Sequence, residues 1–118
     1  MVKTLKSSLE VVLESALNAK RGTLGYSEPI DSTLRGCYIL LKYQNQQEIE
    51  KVIKNEGAAL ILAYITGGNK VNVDEIENAY KKILLFKLHK KMLLSYLDGF
   101  MRANLIKKEN DKYIPRTA

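Results

Sequence analysis

Lys87, His89, Lys90 and Lys91 stand together in one short stretch, and Lys107, Lys108, Lys112 and Arg116 follow in a second. Ammonium and guanidinium groups placed this way neutralise phosphates and release condensed counterions, which gives salt-sensitive affinity for a polyanion whatever its sequence. Reading base edges needs directional donors or acceptors in addition. His89, Lys90, Lys91, Ser95 and Arg102 have that chemistry and share one helical stretch. Any one of these lysines alone would be an ordinary solvated charge. Their joint placement is what points to a polyanion.

Other chemistries find less support. "TGGNKV" sets glycines beside a lysine but lacks the gap, second glycine and Ser or Thr of a phosphate loop. One histidine and one cysteine, His89 and Cys37, cannot build a nucleophile, base and orienting group, so no enzymatic activity is expected. Without Cys or His companions His89 is not a metal ligand, and no cofactor is expected. Cys37 reads as a small core residue in a reducing compartment. The acidic residues are scattered along helix faces, where they serve solubility and capping.

The net charge of +6 is unevenly placed. Residues 1–60 carry 8 basic and 7 acidic groups, and residues 61–118 carry 11 and 6. The excess therefore lies in the half that holds the two clusters. Glu10 and Glu14 interrupt the apolar stretch after Lys3 and Lys6, which argues against a cleaved signal peptide. The run "GAALILAYITGG" is too short to span a bilayer. These features predict a soluble cytoplasmic protein with no membrane partner.

The elements that would position the clusters follow from apolar spacing. "TLKSSLEVVLESALNAKRG" predicts a helix, with Ser7 and Glu10 spaced as a capping box and a C-terminal end at Lys20–Gly22. Its seam of Leu5, Leu9, Val12, Ala16 and Ala19 either packs on its own domain or pairs with a second copy. Leu5, Leu9, Val12 and Ala16 are accordingly the candidate dimer contacts. "DSTLRGCYILLKY" suits a helix opened by Asp31, although its second half alone would pass as a buried strand. "QQEIEKVIKNE" predicts a further helix. "AALILAYI" predicts an apolar one ended by "TGGN", and "KVNV" a minimal strand. Asn72 and Glu75 form a capping box for the helix "VDEIENAYKKILL". From about Leu88 to Ala103 the stripe Leu93, Tyr96, Leu97, Phe100 and Met101 holds a last helix to the core. Asp98 and Arg102 have the spacing of a surface ion pair on it. "LIKKENDKYIP" then reads as two strands around a turn at Glu109–Asp111. Residues 1–45 form an N-terminal helical extension in this reading, and residues 46–118 the main domain.

The order of helix, brief strand, capped helix, longer helix and charged hairpin resembles a winged helix-turn-helix. "YLDGFMRANLIKKENDKYIPRT" is similar to the ending of many small archaeal and bacterial winged-helix proteins. "VNVDEIENAYKKI" is similar to the winged-helix domain of archaeal origin-recognition initiators. Asn104 stands where that family has Gly, and Asn tolerates the left-handed conformation required there. The resemblance implies a mainly α fold with a β-hairpin wing. It further implies that the last helix enters the major groove of double-stranded DNA and that the hairpin lies on the backbone. The DNA-binding residues would be Lys87, His89, Lys90, Lys91, Ser95, Arg102, Lys107, Lys108, Lys112 and Arg116. A transcriptional regulator or a replication or chromatin accessory, possible as a homodimer, fits this reading. The rival is a winged-helix protein-interaction module within a larger assembly.

Overall fold

The computed structural model describes residues 5–25, 27–68 and 70–116. In chain order its helices are α1 (Leu5–Arg21), α2 (Glu28–Leu41), α3 (Gln46–Glu50), α4 (Glu56–Gly68), α5 (Val73–Leu84) and α6 (Lys90–Arg102). The hairpin strands β1 (Ile106–Glu109) and β2 (Lys112–Pro115) follow. Residues 31–41, ambiguous in sequence, are helical. Among the described residues no helix is long and apolar enough to cross a membrane.

Every residue from Gly57 to Gly67 of α4 is buried. A helix apolar all round must be enclosed, and α1, α2, α5, α6 and β2 all pack against this one. Its tightest crossing is with α2. A β-carbon on Gly36 would come within 1.7 Å of the Ala63 carbonyl oxygen, and one on Gly67 within 1.8 Å of that of Ser32. The two backbones therefore touch directly. Arg35 uses this proximity, donating from Nε (3.2 Å) and Nη2 (3.1 Å) to the Gly67 carbonyl, one of the orphan acceptors at the end of α4. Cys37 is buried beside this crossing, and burial pushes its thiol up to about 12, which keeps it unreactive.

Leu9, Val12 and Ala16 are fully buried within the single chain. The α1 seam thus packs on its own domain. In the single chain its own core covers these three residues, so they present no surface to a second copy; the side chain of Leu5 lies outside the described residues. The boundary expected after residue 45 falls just before α3, yet one buried cluster runs from Leu9 through α4 to Tyr113. The first two helices are part of the core and not an appendage to it.

Local signals set the helix ends. Ser7 lies inside α1, so the box expected with Glu10 does not open that helix. Helix α2 starts at Glu28, with Pro29 in its first turn, three residues before the expected start at Asp31. Asp31 instead reaches back to accept from the Ser27 N–H (2.8 Å) and from Lys20 Nζ (2.9 Å), tying α1 to α2. Those two contacts hold its carboxyl below the ordinary value, the backbone bond contributing most. Helix α3 is a single turn that ends at Glu50, and further on Asn55 opens α4 by accepting from the Ala58 N–H at 2.9 Å. Helix α4 extends past the expected stop through Gly68; Asn69, expected to help end it, lies outside the described residues.

Asn72 and Glu75 form the expected capping box of α5 (2.8 and 3.0 Å). Helix α6 closes on Asn104, whose φ of 63° is left-handed. Around it the Leu105 N–H donates to the Phe100 carbonyl and the Asn104 N–H to that of Met101, each at 3.0 Å. Strands β1 and β2 pair from Ile106↔Pro115 to Glu109↔Lys112, leaving a two-residue turn at Asn110 and Asp111. The minimal strand expected in "KVNV" is one bridge, Val71 to Tyr113, so Val71 lies against β2 and β2 against β1.

Candidate nucleic-acid interface

Helix α6 buries Leu93, Leu97 and Phe100 and half-buries Tyr96 and Met101. The opposite face, at intervals of three and four residues, is Lys91, Leu94, Ser95, Asp98 and Arg102, all exposed. Tyr96 leans inward, its hydroxyl accepting from Asn55 Nδ2 at 3.0 Å, which pins α6 to the start of α4. The helix begins at Lys90, so Lys87 and His89 sit in the connection before it, with His89 at the N-cap position. Both are exposed, and Leu88 between them is buried and anchors that connection.

The first turns of α6, the start of α5 and the hairpin converge on one cleft of about 270 Å³. Lys90 and Leu94 line it from α6, Asn72 and Asp74 from α5, and Lys108, Asp111 and Tyr113 from the hairpin. Strand alternation decides which hairpin lysine takes part. Lys108 lies 5.7 Å from the centre of the Tyr113 ring, on the cleft side. Lys107, one residue earlier, points to the other face and pairs with Glu109 at 2.9 Å. That pairing holds the Glu109 carboxyl below its ordinary value.

Several of the ten candidate residues carry carboxylate partners. Lys112 meets Glu75 at 3.5 Å, Lys90 meets Glu77 at 4.0 Å, and Arg102 meets Asp98 at 2.9 Å. The last has the helical spacing expected for it. Among the described residues Lys87, Lys91, Lys108 and Arg116 have no acidic partner, and all four are exposed. The geometry thus sorts the set. Lys90 and Lys108 share the cleft, Lys91 and Ser95 lie on the adjoining helix face, and Lys107 faces away. Asp74 and Asp111 make the cleft mixed in sign, so its positive potential is concentrated on the side of Lys90 and Lys108.

Two features were not read from the sequence. Leu94 is an exposed apolar residue in the middle of the α6 face, next to Ser95. A larger groove of about 740 Å³ opens elsewhere, between α1, the end of α5 and the inner flank of α6. Its rim carries Leu85 and Phe86, both exposed. The signal for it was "ILLF": four successive apolar residues, of which one helix face can bury only some.

No protein-family model, curated protein or solved structure matches this chain.

Proposed function

We propose that the chain binds double-stranded DNA through a winged helix-turn-helix made of α4, Val71, α5, α6 and the β1–β2 hairpin, as a transcriptional regulator or a replication or chromatin accessory. The supporting observation is the convergence of Lys90 from α6 and Lys108 from the hairpin on one cleft, beside the exposed Lys91 and Ser95. In this reading the start of α6 enters the major groove, so Lys91 and Ser95 face base edges. Lys87, Lys108 and Arg116 meet phosphates on either side. Arg102, three turns along and held by Asp98, is a peripheral contact.

A fluorescence anisotropy titration of the full chain with a labelled duplex tests this. About five phosphate contacts would weaken binding on the order of a hundred- to a thousand-fold between about 50 and 200 mM salt. Absence of duplex binding at low salt would overturn the proposal. It would favour the second reading, a non-catalytic protein-interaction subunit, which draws its support from the apolar rim at Leu85 and Phe86.

A further inference from the structure

We infer that the groove between α1, α5 and α6 is the contact face of a homodimer in which the Leu85–Phe86 corner of each copy docks into the groove of the other. This inference stands apart from DNA binding and uses none of the same side chains.

The corner itself is the first observation. Leu85 ends α5 with φ 63°, in the left-handed region that a branched side chain enters at a cost and that glycine occupies freely. Its side chain is 81% exposed and that of Phe86 is 69% exposed. The backbone conformation closes α5, the Leu85 N–H donating to the Lys81 carbonyl at 3.0 Å, but it does not require an apolar side chain, and here a leucine points into water where glycine would cap as well. A knob of this kind has a use when something covers it.

The groove is the second observation. Val11, Tyr80, Ile83 and Met92 line it, and Leu85 and Phe86 stand on its own rim. Knob and hole on one face are what an isologous two-fold contact requires, since each copy then supplies both. Leu85, Phe86, Met92 and Val11 together expose on the order of 400 Å² of apolar surface, taking up to about 200 Å² for a fully exposed large side chain. Two such patches face to face would cover about 800 Å². At the usual apolar share of about 57% that corresponds to an interface near 1,400 Å², within the range of stable complexes.

Charge is the third. The end of α5 carries Lys81 and Lys82, both exposed, and Lys82 lines the groove. On α1, Glu14 is exposed and stands one helical turn from the groove-lining Val11 and Asn18. In the two-fold contact Lys82 of each copy would meet Glu14 of the other. The contact favours a second copy of this chain over a partner of one charge sign.

Sedimentation equilibrium of the full chain tests the inference. The expected result is a concentration-dependent mass that approaches twice the 13.4 kDa chain by about 100 µM, as a low-micromolar dimer requires. Phe86→Ser should shift the dissociation constant upward at least tenfold without lowering the monomer Tm, read at a concentration where wild type is also monomeric, because the side chain is exposed in the monomer. Leu85→Gly should weaken the dimer while raising monomer Tm by about 3–6 °C, since it relieves the left-handed leucine. Lys82→Glu should also weaken it, and adding Glu14→Lys should restore it. A chain of monomer mass at about 100 µM overturns the inference and leaves the corner for a different protein. A dimer unaffected by Phe86→Ser overturns it too, placing the contact elsewhere.

Discussion

Val71 and Tyr113 exchange both backbone hydrogen bonds, at 3.1 Å from the Val71 N–H and 2.7 Å from the Tyr113 N–H. This one pair joins the segment before α5 to β2. The hairpin is therefore held beside the capped start of α5, and Lys112 reaches Glu75 there at 3.5 Å. Two strands alone are marginal in water, so the bridge and the burial of Tyr113 are what keep Lys108 facing α6.

Alanine substitutions should separate the cationic residues by position. Lys91→Ala and Lys108→Ala should each weaken duplex binding by about 1 kcal/mol and reduce the salt slope by about one. Lys107→Ala, on the far face of the hairpin and already paired with Glu109, should change affinity less than twofold. Anisotropy titrations at several salt concentrations measure both quantities. Equal losses at Lys107 and Lys108 would contradict the orientation of the hairpin.

The crossing of α2 and α4 predicts a large stability cost. Gly36→Ala would force a methyl group into the Ala63 backbone, and backbone, unlike the end of a long side chain, cannot swing aside. The cost should be about 3 kcal/mol or more in urea unfolding. Gly99→Ala is the control: nothing lies within 4 Å of its β-carbon position, and it should be neutral or slightly stabilising.

Asp31 gives a pH dependence with a definite sign. Its folded pKa lies below that of an ordinary aspartate, so the stability it contributes is present above the ordinary value and is lost as pH falls through the folded pKa. The urea midpoint of the wild-type chain should fall across that acidic window. Asp31→Asn should be less stable than wild type at pH 7, and the gap between them should close toward low pH. A gap constant with pH would show that the Ser27 and Lys20 contacts contribute nothing through charge.

Local signals were the part of the fold legible in the sequence. The Asn72–Glu75 box and the left-handed Asn104 depend on residues within a few positions, so spacing alone shows them. The pattern of "QQEIEKVIKNE" is helical throughout, yet α3 ends at Glu50, and Asn55 at its far end serves α4 instead, bonded to Ala58 next to it and to Tyr96 far along the chain. The α1 seam was legible as a seam, but its partner was not: an apolar stripe looks the same whether it meets its own core or a second copy. In the candidate site, the grouping of the lysines was legible. Their sorting was not, because Glu75 and Glu77 on α5 meet Lys112 and Lys90, residues distant in sequence, only in the folded chain.

The most direct test of a DNA-facing surface is an amide chemical-shift map of the full chain titrated with a short duplex at low salt. The account predicts the largest shifts at Lys90, Lys91, Leu94 and Ser95 in α6 and at Lys108 to Asp111 in the hairpin, with the α1 face and the Leu85–Phe86 corner unmoved. Shifts concentrated at Leu85, Phe86 and Val11, or none anywhere, would contradict it.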